Sequence, residues 1–242
     1  MKKNTNIILL FSIPFLCIYS ASASAQDAVT NGSRIYNNVL DSIKQSLHRQ
    51  RGLNFDFDSR YSFIGSGVGD IIGVKLGVEF GDKFEVGLSG HLLDEVNAHF
   101  YKNYPVLHFG NTIETVKAHL QLFYMAAYAE YVFYRDAQWK FSVPVQLGMG
   151  ESNYLYTYNG IEKVNNLHAI ILLEPIISSE YSLNSWFSLT AQFGLRLMLL
   201  NNPAVEDNLN SPTFSLGFSI TYTQACKTLF PNSQLTNWLN KI

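Results

Sequence analysis

Cysteine is almost missing from this chain: of 242 residues only Cys17 and Cys226 are cysteine. Cys17 lies in a segment that reads as a removable leader, so one thiol would remain and no internal disulfide can form. Cys226 reads as a plain residue just past the last strand. Long apolar runs are missing too. Beyond the leader no stretch reaches the roughly 18 residues of a membrane-crossing helix, which excludes helical spans. Charge is sparse, at 15 % of residues, with 17 Lys and Arg against 19 Asp and Glu. The basic residues do not gather on one element, so no nucleic-acid partner is expected.

What is present points elsewhere. Lys2 and Lys3 precede an apolar stretch from Ile7 to Tyr19, and Ala21-Ser22-Ala23-Ser24-Ala25 has the small-x-small pattern of a signal peptidase site. Cleavage is expected after Ala25, with Ala23 as the alternative. Pro14-Phe15-Leu16 before Cys17 is too bulky for a lipobox. The mean hydropathy is +0.03, high for a secreted soluble protein, and aromatics make up 14 % of the chain. The aromatics sit in alternating segments, and a closed barrel is the other way for a chain to satisfy its backbone in lipid.

From Leu53 onward the dominant period is two. Phe55, Phe57, Tyr61 and Phe63 alternate with Asn54, Asp56, Asp58 and Arg60. Ile72 to Phe80, Phe84 to Leu92, Trp139 to Met149, Phe187 to Leu199 and Phe214 to Tyr222 repeat the pattern, with Gly, Ser, Thr and a few charges opposite. Val116 to Tyr134 reads as a long strand with a β-bulge near Ala129, because Leu120, Leu122 and Tyr124 have one parity and Tyr131 and Phe133 the other. Ala169 to Tyr181 is nearly apolar on both faces. These are eight strands. Their links alternate between tight turns (81–83, 135–138, 182–185) and longer ones (65–70, 94–115, 152–167, 200–212), as in barrels with short periplasmic turns and longer outer loops. Phe80, Phe84, Tyr131, Phe133, Tyr134, Trp139, Tyr181, Trp186 and Phe187 flank the tight turns and form an interfacial girdle.

The expected fold is therefore all-β: an eight-stranded antiparallel up-and-down transmembrane β-barrel over 53–223, with short amphipathic N- and C-terminal helices. Residues 1–25 are read as the signal peptide, 26–52 as a periplasmic helical segment and 224–242 as a periplasmic tail. In the first helix Ser33 is a possible N-cap, and Tyr36, Val39, Leu40, Ile43 and Leu47 form the stripe up to Gln50. Pro231 precedes the second stripe, Leu235, Trp238, Leu239 and Ile242. Each helix could lie on the inner leaflet, close the barrel mouth or dock a partner.

The stretch Trp139-Lys140-Phe141-Ser142-Val143-Pro144-Val145-Gln146-Leu147-Gly148-Met149-Gly150 resembles a small outer-membrane β-barrel family common in the Bacteroidetes. Leu173-Glu174-Pro175, Trp186 and Gly194-Leu195-Arg196-Leu197-Met198-Leu199 are similar to the closing half of those proteins. The resemblance implies a monomeric barrel used for adhesion, envelope stability or small-solute passage, and implies no functional residue. Such barrels often end on an aromatic that the assembly machinery reads. Here Tyr222 is followed by further chain, so either it serves internally or Ile242 ends the protein without that signal.

Two sets of candidate residues follow. Lys75, Glu85, Glu174, Arg196 and, given the bulge, Glu130 form the expected polar network of the lumen, where a buried charge needs a partner. Glu79, His91, Lys117 and His119 share the inward parity, and the 182–185 turn would place Glu174 near Gln192 or Gly194 with Arg196 diagonal to it. In the outer link Phe100, Tyr101, Tyr104 and Phe109 are candidate contacts with a ligand or lipopolysaccharide. Asn159-Gly160 predicts a tight turn in a ribbon that extends past the membrane. No catalytic, metal or cofactor motif stands out. His91, His108, His119 and His168 all lack a serine two residues on, and His91, Asp94 and Ser66 would form a catalytic set only without a motif. The expected role is structural or interactive in a bacterial outer membrane, among outer-membrane lipid, lipopolysaccharide and the barrel-assembly machinery. A narrow channel, a lipid A-modifying enzyme and a soluble β-sandwich are the competing readings.

Overall fold

A computed structural model describes residues 25–64, 67–93, 101–107, 113–158, 160–201 and 209–231. After helix α1 (Ala25–Ser46) come nine strands: β1 (Gln50–Ile64), β2 (Gly67–Phe80), β3 (Phe84–Leu93), β4 (Tyr101–Leu107), β5 (Ile113–Arg135), β6 (Trp139–Tyr158), β7 (Ile161–Ser182), β8 (Phe187–Leu200) and β9 (Ser211–Thr221). Helix α2 (Tyr222–Leu229) follows directly. The strands pair in the order β3-β2-β1-β9-β8-β7-β6-β5-β4, and β3 also pairs with β5, which closes an eight-stranded antiparallel ring. Strand β4 stands outside the ring on the outer end of β5, with Tyr101 opposite His119 and Leu107 opposite Ile113.

The ring is polar inside and apolar outside over most of its height. Lys75, Ser89, Gln146, Glu174 and Ser215 are buried, whereas Leu76, Leu88, Leu147, Met149 and Leu216 are exposed on the wall. A soluble sandwich would bury the second set, so this is the distribution of a lipid-facing barrel. Among the described residues no helix is long and apolar enough to cross a membrane.

Several sequence expectations change. The link at 65–70 shrinks, because Ile64 pairs with Gly67 and the strands run almost into each other. The link at 94–115 contains β4, and that at 152–167 is the predicted ribbon, with Tyr158 opposite Ile161 and Gly160 at φ 74°. Strands β5, β6 and β7 thus reach 23, 20 and 22 residues, about twice the 9–11 that cross a bilayer. No bulge lies near Ala129: the even residues of β5 face inward unbroken to Val132, and the register shift comes only after it, with Val132 opposite Ser142 and Tyr134 opposite Phe141.

Helix α1 runs through Ser33, which is therefore no N-cap, and ends at Ser46, buried against the Gly81 turn. Strand β9 stops at Thr221 instead of Thr223. Helix α2 then turns back over the start of β1, where the Leu53 N–H donates to Thr223 Oγ1 at 3.1 Å. Both helices stand at the short-turn end, as an even ring requires. Cys226 is buried in α2. The helical stripe from Leu235 to Ile242 lies outside the described residues.

Candidate functional site

The polar lumen is organised in two tiers. The one further from the short turns centres on Glu174 of β7. Arg196 of β8 donates from Nε to Glu174 Oε1 at 2.7 Å, and Arg60 of β1 donates to Glu174 Oε2. Arg60 also pairs with Asp58 at 3.0 Å, and Arg196 reaches Ser62 at 3.1 Å and the Tyr124 hydroxyl at 3.3 Å. Arg60, Arg196 and Tyr124 are among the largest fully buried side chains. The cluster ties β1, β5, β7 and β8 together across the ring and balances two guanidiniums with two carboxylates, the condition under which buried charge is tolerated. His91 stacks on Tyr124 at 4.6 Å, and its Nε2 is 3.0 Å from Ser89 Oγ.

The second tier lies nearer the short turns. Glu79 faces Glu85 across β2 and β3, and Glu85 faces Glu130 across β3 and β5. Asn54 and Tyr128 donate to Glu85 at 2.8 and 2.7 Å. Lys140 contacts Glu130 at 3.3 Å and Glu180 at 2.6 Å, and Arg135 pairs with Glu79. Gly77 leaves room for this arrangement: a Cβ there would come within 2.2 Å of Glu85 Oε1 and of the Tyr128 hydroxyl. Between the tiers Lys75 donates to Gln192 at 3.0 Å. Ser142 Oγ, and both amide atoms of Gln146 across from Glu174, are buried without a protein hydrogen-bond partner.

Towards the outer end the lumen changes character. Ile71, Leu93, Leu120, Leu122, Ile170, Leu172 and Leu209 are all buried in one cluster with Tyr154. It is centred on β5 and β7 and lies further from the short turns than Glu174 and Arg196. The described interior is thus ionic nearer the short turns and carries an apolar cluster further out on the β5–β7 side, with Ser152 buried across from Leu122 and Ser62 bonded to Ser211 on the β1 side.

The structure brings together Glu174 and Arg196, as the sequence reading anticipated, but in a different register. Leu173 pairs with Leu197 and Ile176 with Gly194, so Glu174 lies directly across from Arg196, not diagonal to it. Lys75, Glu85 and Glu130 are inside but belong to other groupings. Lys117 and His119 lie on the outward face of β5, not the inward one expected. The even residues of β5 point inward from Ala118 to Val132, so Leu120, Leu122 and Tyr124 fill the lumen and Lys117 is exposed. Arg60, Asp58, Tyr124, Tyr128 and Lys140 were missed as partners, although Asp58 and Arg60 alternate visibly with the outward Phe57 and Tyr61. Tyr101 and Tyr104 belong to β4, whereas Phe100, Phe109, Ser66, Asp94 and His108 lie outside the described residues. Among the described residues no group of His, Cys, Asp and Glu is placed to hold a metal ion.

A closed antiparallel ring with an ionic interior and an apolar wall defines an outer-membrane-type β-barrel. The backbone comparison agrees: the chain is similar in fold to Neisserial surface protein A, with a TM-score of 0.51 and 15 % identity over 72 % of this chain and 99 % of that one. Weaker likenesses link it to the outer membrane protein OprG of Pseudomonas aeruginosa (TM-score 0.44, 9 % identity, 71 % and 96 % covered). The attachment invasion locus protein Ail of Yersinia pestis is also similar (0.42, 11 %, 70 % and 95 %). No known family profile matches the chain. No curated protein sequence matches it either.

Proposed function

We propose that this protein is an integral barrel of a bacterial outer membrane that acts as a sealed scaffold. It presents its outer ribbons to lipopolysaccharide or to a surface ligand, in a role of envelope integrity or adhesion. The observation that carries the reading is the cross-brace of Arg60, Glu174, Arg196 and Tyr124 beneath an apolar layer. A solute path through the ring would have to pass this brace of buried charge, and the apolar cluster beyond it resists wetting on the β5–β7 side. The narrow channel is therefore the second reading.

The ribbons supply the surface. Beyond the ring β6 and β7 carry Ile161, Val164 and Leu167 exposed, and the Lys163 ammonium lies 5.2 Å from the Tyr158 ring centre. Lipid A chemistry finds less support. The hydroxyl beside His91 is that of Ser89, and both are buried inside the lumen, where no lipid reaches them. Export with a leader cut near Ala25, passage through the assembly machinery, a monomeric state and kinship with the Bacteroidetes barrels are parts of the same proposal. The last of these rests on the 139–150 and 194–199 segments.

Planar-bilayer recording and a deletion series test it together. The intact protein should give no discrete conductance steps. Removing 97–109, or replacing 154–166 by a short turn, should leave a heat-modifiable barrel that loses binding to lipopolysaccharide-coated or matrix-coated surfaces. Steady conductance would favour the channel, and unchanged binding by both deletions would end the ribbon reading.

A further inference from the structure

We infer that an aromatic cup on the outer wall at the β5–β6 turn is a lipid headgroup site that takes the ammonium of a zwitterionic phospholipid. Phe133, Tyr134, Asp136, Trp139 and Phe141 line a shallow depression of about 520 Å³, open to the surroundings of the wall. The bulge builds it. With Val132 opposite Ser142 and Tyr134 opposite Phe141, Phe133 is the extra residue, and the consecutive Phe133 and Tyr134 are both exposed on the wall. Bulges re-aim side chains in this way. Trp139 and Phe141 stack at 5.7 Å and 4°, and Phe133 and Tyr134 stand 6.3 and 5.8 Å from Phe141.

Asp136 supplies the charge. Its Oδ1 accepts from the backbone N–H groups of Gln138 and Trp139 at 2.8 and 2.7 Å, and its Oδ2 accepts from the Tyr134 hydroxyl at 2.7 Å. These bonds, the Trp139 N–H first, hold the carboxyl below its ordinary pKa, so it is anionic at neutral pH. A carboxylate has about four acceptor positions, so one remains for a ligand. Ring faces are also negative and attract cations. Among the lining residues there is no Lys or Arg, so a headgroup without an ammonium gains no ionic contact here. An ordinary interfacial girdle has no such preference.

The inference rests on the barrel lying in a membrane with its short turns at headgroup depth. The test uses the mature full-length protein refolded into nanodiscs of mixed phosphatidylethanolamine and phosphatidylglycerol, with retained lipids counted by native mass spectrometry. The ethanolamine lipid should be retained about two- to fivefold over the glycerol lipid, as one cation–π contact at an exposed site implies. Both Asp136→Asn and Trp139→Leu should bring that ratio to parity while the barrel stays heat-modifiable, and either variant suffices should the other not fold. Parity in the wild type, or a ratio unchanged in a folded variant, overturns the site. Failure of the wild type to enter nanodiscs would instead overturn the membrane reading on which it rests.

Discussion

Replacing Glu174 by glutamine removes one charge and almost no volume from the middle of the lumen, so its effect isolates the ion cluster. Glu174 is 0 % exposed and holds two guanidiniums. Arg60 keeps Asp58 at 3.0 Å after the change, but Arg196 is left with no carboxylate, only neutral acceptors on Ser62, Tyr124 and the new amide. One buried cation is stranded. Removing one partner of a buried pair costs about 3–5 kcal/mol, a large share of the roughly 5–15 kcal/mol that holds a typical domain folded. The double variant Glu174→Gln/Arg196→Met removes the stranded charge and leaves Arg60 with Asp58, so it should recover most of the loss. Urea titration in lipid vesicles, read by the heat-modifiable band, gives both numbers. A single variant within about 0.5 kcal/mol of wild type, or a double variant no better than the single, would refute the reasoning.

Four further outcomes follow from particular contacts. Gly217→Ala places a Cβ 2.1 Å from the Phe57 carbonyl oxygen on the neighbouring strand; the β1–β9 seam should part, with a loss of about 1–3 kcal/mol in the same titration. Leu172→Ala hollows the apolar cluster of β5 and β7 and should cost about 2–5 kcal/mol. In planar bilayers, Leu120→Ser/Leu172→Ser should raise conductance above the intact protein. Asp136 is depressed in the folded state, so its contribution is present above the unfolded value of about 3.9 and lost as pH falls through the lower folded one. Emission from Trp139, read with Trp186 and Trp238 replaced by phenylalanine, should hold steady from about pH 8 to about pH 4 and move only below that. Asp136→Asn should abolish the step.

How far the sequence could be read depended on whether alternation stayed regular. In β1, β2, β8 and β9 the polar and apolar sets differ clearly, so the face of Lys75, Arg196 and the β9 serines was legible. In β5 it was not. Leu120, Leu122 and Tyr124 look like lipid-facing residues, yet the inner surface there is apolar too, and both faces of such a strand satisfy the same composition. The inward glutamate Glu130 and the exposed Lys117 share that strand with opposite parity, and the register is decided by pairing with β3 and β6. The helix after Thr221 was hidden because Tyr222 and Thr223 continue the strand's alternation. The partners of Glu174 come from sequence-distant strands, so pattern could place the charges inside but could not pair them. Arg60 shows in the alternation of β1, but its partner Glu174 stands on β7, which does not neighbour β1 in the ring.

The central claim is that this ring of strands stands in a bacterial outer membrane, and membrane fractionation of the native host with heat-modifiable migration on a denaturing gel tests it most directly. The account predicts a band confined to the outer-membrane fraction, released only by detergent, that shifts its mobility on boiling. A mature protein recovered from the soluble periplasmic fraction without detergent, with no shift on boiling, would contradict it.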